Sequence, residues 1–123
     1  MSRGLLFSNL FYNIEPMKKH SFGSLELTVL NSVARLGEDA YGLRVRRDVS
    51  ELLRHDYSVG AIYTTLARLE EQGLLKSSTT APLPVRGGRS RRQFRLSPAG
   101  RQALREAERL AVRMLAPNTR GLA

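Results

Sequence analysis

The residues best suited to chemistry in this sequence are arginines that surround a glycine pair, between Arg86 and Arg95. An arginine guanidinium is a planar donor fork that matches phosphate oxygens, and it is often inserted into the minor groove of DNA. Glycine lets a loop tip lie close to another backbone. We therefore expect a phosphate or minor-groove clamp formed by Arg86, Gly88, Arg89, Ser90, Arg91 and Arg92. Arg95 follows on the returning strand, where we expect it only to be solvated.

The charge of the whole chain supports a polyanionic partner. The net charge is +9 in 123 residues, and the isoelectric point is about 11.0. No Asp or Glu occurs from Gln72 to Arg105, although that window holds eight Lys and Arg residues. A solvated surface usually mixes both signs, so a one-sign window favours nucleic-acid contact over a neutral role.

A second candidate surface lies on a helix that begins near Ser58. Ile62, Leu66 and Leu69 recur at helical spacing and are expected to face the core. The outward face is then small and uncharged at its start, which suits close approach to the edges of bases in the major groove. The expected reading residues are Ser58, Gly60, Ala61, Tyr63, Thr64 and Arg68. For Tyr63 a half-buried packing role remains an open alternative.

The sequence holds no group of residues that predicts catalysis. It has no cysteine, and its two histidines, His20 and His55, are far apart. Gly87-Gly88 lacks the pattern of a phosphate-binding loop. We therefore expect no enzymatic activity, no cofactor and no metal. No apolar run approaches the roughly 20 residues of a membrane-spanning helix, so we expect no membrane contact and a cytoplasmic protein.

Three helices are expected first. Ser24 is predicted to cap a helix that stops at Gly37, and Glu38 to Ala40 read as a turn. A second helix is expected from about Tyr41 to Leu53, with an inward stripe of Val45, Val49, Leu52 and Leu53. Ser58 is a good cap for the third helix, and Gly73 suits the left-handed position after its last turn.

A hairpin and a fourth helix are expected next. Leu74 to Thr80 has β-type composition, and Gln93 to Leu96 alternates polar and apolar residues as a returning strand does. Ser97-Pro98 marks a helix start, and Pro117 ends that helix. The fourth helix carries a broad apolar face, which favours a dimer interface. Closing the monomer's own core is the open alternative. The face comprises Leu104, Ala107, Leu110, Ala111, Met114 and Leu115.

The order of elements predicts a mainly α fold with a small β-hairpin, namely a winged helix-turn-helix. We divide the chain into an N-terminal extension (1–20), a winged-helix DNA-binding domain (21–97), a dimerisation helix (98–117) and a tail (118–123). Two interpretations of the extension stay open. Either Met17 is the natural start, or a stripe of Leu6, Leu10 and Ile14 packs on a partner.

Three stretches resemble the PadR family of bacterial transcriptional regulators. They are residues 41–45 (Tyr-Gly-Leu-Arg-Val), residues 58–74, which include Tyr63 and Arg68-Leu69-Glu70, and residues 88–100, from Gly88-Arg89 to Gly100. The resemblance runs from about Ser24 to Arg105 and is nearest to the compact branch with one C-terminal helix. The sequence departs from the family pattern at four positions, namely Tyr41, Leu43, Thr64 and Ser90. These departures bear on the operator preference more than on the fold.

The resemblance implies a homodimer that represses transcription. Members of the family respond to varied small molecules or to none, so regulation by a small-molecule effector stays open. A two-fold dimer would place two reading helices about 34 Å apart on a pseudo-palindromic site in double-stranded DNA. Tyr41 and Arg44 are assigned as candidate phosphate contacts. The alternative is a basic RNA-binding or ribosome-associated protein. Only Phe94 lies near the basic run to stack on unpaired bases, which favours DNA.

Overall fold

The computed structural model describes residues 23–80 and 91–117. Helices dominate these residues, and a two-stranded antiparallel hairpin precedes the last helix. The predicted fold class, mainly α with a small hairpin, is confirmed. The elements are α1 (Ser24–Leu36), a 3-10 turn (Gly37–Asp39), α2 (Gly42–Leu53), α3 (Val59–Glu71), β1 (Leu75–Thr79), β2 (Arg92–Leu96) and α4 (Pro98–Leu115).

Local capping signals set the ends of α3 and α4 as predicted. The Ser58 hydroxyl accepts a hydrogen bond from the Ala61 amide at 3.0 Å, which satisfies one of the amides left free at a helix start. Ser97 does the same for the Gly100 amide, also at 3.0 Å. After α3 the chain reverses at Gly73, whose φ of +79° favours glycine.

Two local predictions are wrong. Ser24 does not cap α1, because it is already the first helical residue; Gly23 precedes the helix and donates its amide hydrogen to Glu26 at 2.9 Å. Leu52 was expected to face inward but is 57% exposed. It lies in the last turn of α2, beyond the part whose Val45 and Val49 are fully buried.

The sheet has an additional partner that the sequence did not predict. β1 pairs with β2 so that Leu75 lies opposite Leu96 and Ser77 opposite Phe94. On the other side of β2, Tyr41 forms a bridge with Gln93, and the Phe94 amide donates to the Ala40 carbonyl at 2.9 Å. Ala40 was expected to end a turn and Tyr41 to begin the second helix; instead residues 40–41 add a short third segment that ties β2 to the start of α2.

The hydrophobic core lies between the first three helices and the inner face of the hairpin. α4 joins it only by its first turns, where Gly100 rests on the Leu74 carbonyl and Ala103 is buried. No helix among residues 23–80 and 91–117 is long and apolar enough to cross a membrane. The buried hydrophobic residues are Val29, Leu30, Val33, Ala40, Val45, Val49, Ile62, Leu66, Leu69, Leu74, Leu75, Phe94 and Ala103.

Candidate nucleic-acid interface

The N-terminal half of α3 presents the small surface that the sequence indicated. Ile62, Leu66 and Leu69 are fully buried, and they fix which face of the helix points outward. On that outward face the predicted reading residues Ser58, Gly60 and Thr64 are exposed, and Ala61 is partly so. Nothing lies within 4 Å of where a Cβ on Gly60 would be, so the face is open at its start.

Tyr63 both packs and faces solvent, so the packing role is observed and the reading role stays a prediction. Its side chain is 38% exposed. The rest of the ring lies directly on Gly42, because a Cβ built there would overlap the Tyr63 hydroxyl and come within 2.7 Å of Cε1. The first turn of α2 therefore holds the Tyr63 ring at the edge of the α3 face. Sequence reasoning missed this contact, although a glycine at the first helical position was a usable signal.

The start of α2 combines an uncapped helix end with two aromatic rings. Its N-cap residue, Tyr41, makes no side-chain capping bond. The first amides of α2 and the positive end of its dipole therefore remain available to an anion. Arg44 is exposed two residues into the helix. Tyr41 and Arg44, the two predicted phosphate contacts, therefore both lie at this helix start.

The base of the wing is attached to this same point. The Arg91 guanidinium lies over the Tyr41 ring, 4.0 Å from its centroid, in a cation–π contact. The Gln93 side-chain amide donates to the Glu38 carbonyl at 2.7 Å. Together with the bridge between Tyr41 and Gln93, these contacts join the wing strand, the α2 start and the Tyr63 ring into one continuous surface.

Two predicted DNA-contacting arginines are already engaged within the protein. Arg92 was assigned to the loop, but it begins β2. Its Nε donates to the Ser77 hydroxyl at 3.0 Å, and a terminal nitrogen lies 3.8 Å from a Glu70 carboxylate oxygen. Arg68 lies 3.6 Å from Glu26. Both side chains remain about half exposed, so these pairs reduce their charge toward DNA without burying it.

The remaining wing predictions lie outside the described residues: Arg86, Gly88, Arg89 and Ser90. Among the described residues, Thr80 and Arg91 are joined across the hairpin, because the Thr80 amide donates a hydrogen bond to the Arg91 carbonyl at 2.8 Å. No group of three or more His, Asp and Glu residues in this part of the chain could hold a metal ion.

The apolar face of α4 divides into two halves. Leu104 and Ala107 are partly buried, and Leu104 packs against the protein's own core. Beyond them Leu110 and Ala111 are exposed, as are Met114 (71%) and Leu115 (80%). The open alternative, that this face closes the monomer's own core, therefore describes its first half only.

Helix-turn-helix, hairpin and terminal helix together form a winged-helix fold. The family model of the PadR-like transcriptional regulators matches residues 29–106, and the chain belongs to that family. This membership places it among transcriptional regulators and not among enzymes.

Relatives agree with the family assignment. The chain is 51% identical over 61 residues to the transcriptional regulator Rv3488 of Mycobacterium tuberculosis; the match covers 48% of this chain and 53%, about half, of that protein.

Solved structures show the same fold. A PadR family regulator from Clostridium difficile superposes with a TM-score of 0.59 at 24% identity, over 76% of this chain and 91% of that one. A PadR-like regulator from Bacillus cereus gives 0.61 at 21% identity, over 80% and 89%. At such identities these two likenesses speak for the fold alone.

Proposed function

We propose that this protein binds double-stranded DNA as a homodimer and represses transcription from a pseudo-palindromic operator. The observation that carries the proposal is the surface that joins three elements: the open start of α3, the Tyr63 ring on Gly42, and Arg91 over Tyr41. A helix of this kind enters the major groove with its first residues at the base edges, while a wing contacts the neighbouring backbone.

The proposed division of labour separates affinity from sequence choice. Arg91, Arg44 and the free amides of α2 contact phosphates, and such contacts fix register without reading sequence. Gly60, Ala61, Tyr63 and Thr64 meet the bases, where methyl groups and hydroxyls discriminate between base pairs. The two kinds of contact therefore respond differently to mutation and to salt.

Two variants test that division. Tyr63→Ala is expected to weaken binding to a selected site more than binding to random duplex. Arg91→Ala is expected to weaken both, and to lower the slope of log affinity against log salt by about 1.8 for the homodimer, the loss of one phosphate contact in each protomer. Arg92→Ala is the matched control, since Glu70 already shares its charge, and its slope should change less. Equal slopes for Arg91→Ala and the native chain would contradict the wing assignment.

The homodimer is supported by the exposed half of the α4 apolar face. A contiguous apolar surface that the monomer leaves in water usually marks an interface. Met114→Glu is expected to give monomers in sedimentation velocity at concentrations where the native protein is dimeric. Val112→Glu is the control, because Val112 is also exposed but lies on the opposite side of α4. If both variants dissociate alike, or neither does, the α4 interface is refuted.

Selection of bound fragments from the source genome, followed by a reporter gene behind the recovered site, tests repression. Expression should fall when the protein is present and recover with Tyr63→Ala. Increased expression would indicate activation instead. Equal affinity for an RNA duplex of the same sequence would support the RNA-binding alternative and refute operator reading.

A further inference from the structure

α4 carries a second regular feature that DNA reading by α3 does not use. Arginines recur at every fourth position along the helix, and all are exposed. With a rise of about 1.5 Å per residue, their Cα atoms follow a line about 18 Å long. We call these residues the arginine stripe: Arg101, Arg105, Arg109 and Arg113.

The arginine stripe lies on the side of α4 away from its apolar face. Successive helical residues turn by about 100°, which places Arg105 and Arg109 roughly opposite Ala103 and Ala107. Ala103 is buried, Ala107 is partly buried, and Met114 continues the same apolar line into solvent. A dimer formed through the apolar face would therefore leave the arginine stripe in water.

No described acid forms an ion pair with the arginine stripe. Two acids lie beside its centre, Glu106 and Glu108. Glu106 accepts a hydrogen bond from Gln102, whose amide oxygen in turn accepts one from Arg105. Like charges four residues apart on a helix destabilise it, so the repeat has a local cost that no described ion pair offsets. Four other described arginines are paired with carboxylates, in the pairs Arg35–Asp48, Arg46–Asp56, Arg68–Glu26 and Arg92–Glu70. Arg44, Arg47, Arg54, Arg91 and Arg95 share with the stripe the lack of an ion pair to any described acid.

The positive surface continues from the stripe onto the hairpin. Arg101 and Arg95 line the same open groove of about 430 Å³ between α1, β2 and the start of α4. Across the hairpin Arg95 lies directly opposite Lys76, and both are exposed. Like charges in directly opposed strand positions are unfavourable, as they are along the helix.

We propose that the arginine stripe, with Arg95 and Lys76, is a second, sequence-independent contact for the backbone of duplex DNA. A duplex offers a regular line of phosphates, which a regular line of arginines can match. A membrane surface fits less well, because an interfacial helix buries its apolar face in lipid and here the first half of that face packs on the core. A protein partner fits less well because α4 has no aromatic anchor.

The test compares the salt dependence of binding to random-sequence duplexes of two lengths, one just covering a dimer and one with long flanks. Arg105→Gln/Arg109→Gln should lower the slope of log affinity against log salt by up to about 3.6 for the homodimer, the loss of two phosphate contacts in each protomer. Arg35→Gln is the control, an exposed arginine already paired with Asp48. A second double variant, Arg101→Gln/Arg113→Gln, should repeat the effect. Circular-dichroism melting checks that each variant is folded.

A second experiment distinguishes binding of the stripe to a separate duplex from binding to the flanks of the same duplex. One duplex is immobilised and a second, fluorescent duplex is offered together with the protein. If the stripe binds a separate duplex, the native chain retains the fluorescent one and the double variant does not. If it binds flanking DNA, the slope change grows with duplex length and no bridging occurs. Unchanged slopes and unchanged bridging in both double variants would overturn the proposal.

The outcome is independent of operator reading by α3. Preference for a selected site over random duplex should persist in the stripe variants, since α3 is untouched. If the native chain shows no preference for the selected site, the proposed function is contradicted. The salt slopes and the bridging assay still decide the proposal for the arginine stripe.

Discussion

Replacing Gly42 with alanine places a methyl group where the Tyr63 ring lies. The added Cβ would overlap the hydroxyl and Cζ and would come within 2.7 Å of Cε1. Because Tyr63 is 38% exposed, its ring can rotate toward solvent. The loss in free energy of unfolding therefore comes from lost packing and from the changed position of the ring. Overpacking of this kind costs about 1–3 kcal/mol, and we expect unfolding in denaturant to report a loss at the lower end of that range.

The larger effect of Gly42→Ala should be on site-specific DNA binding. A displaced Tyr63 loses its base contact, which is worth about 1–3 kcal/mol and corresponds to a loss of roughly 5-fold to 150-fold in affinity for the selected site. Binding to random duplex should change little, because the phosphate contacts remain. Fluorescence anisotropy with both duplexes measures the ratio directly.

A double-mutant cycle isolates the contact from other effects of a new side chain. In a Tyr63→Ala background the obstacle is gone, so adding Gly42→Ala should be neutral or slightly stabilising, as alanine is a better helix former than glycine. Gly60→Ala is the control for helix propensity in the unfolding measurement alone, because nothing in the protein lies within 4 Å of its added Cβ but the residue belongs to the proposed reading face. An equal cost of Gly42→Ala with and without the Tyr63 ring would refute the reasoning.

Three further substitutions test the packing by thermal and denaturant unfolding. Gly100→Ala should destabilise the fold by about 3 kcal/mol or more, because its methyl group would overlap the Leu74 carbonyl, a backbone group that cannot move aside. A neutral result would contradict that contact. Ser32→Ala should be neutral or stabilising by up to about 1 kcal/mol, because the buried Ser32 hydroxyl has no described hydrogen-bond partner; a clear loss would reveal one. Ser58→Ala should cost about 1 kcal/mol by removing the α3 cap, whereas Ser58→Gly should cost only a few tenths.

Features fixed by neighbouring residues were predictable from the sequence. Ser58, Gly73 and Ser97-Pro98 act within one helical turn, and the structure places the element ends beside them as expected. The buried positions of α3 follow in the same way from helical spacing. The candidate reading face follows from these positions, because the residues of α3 that do not face the core must face outward.

Features that depend on distant residues were not predictable. The bridge between Tyr41 and Gln93 joins residues far apart in the chain, and neither residue signals it alone. The pairing of Arg92 with Glu70 depends on how the hairpin folds back on α3, so a charge run alone could not show it. Leu52 has the spacing of a core residue, but spacing does not say where the covering elements end.

The contact between Gly42 and Tyr63 also constrains the order in which these two positions can change during evolution. A side chain at position 42 is accepted only after the residue at position 63 has become smaller, whereas a smaller residue at 63 can arise first without obstruction. A lineage that alters its DNA preference through position 63 thereby frees position 42. Both single changes weaken binding to the original site, but only a side chain at position 42 overlaps an existing ring, so changes at position 63 should precede changes at position 42.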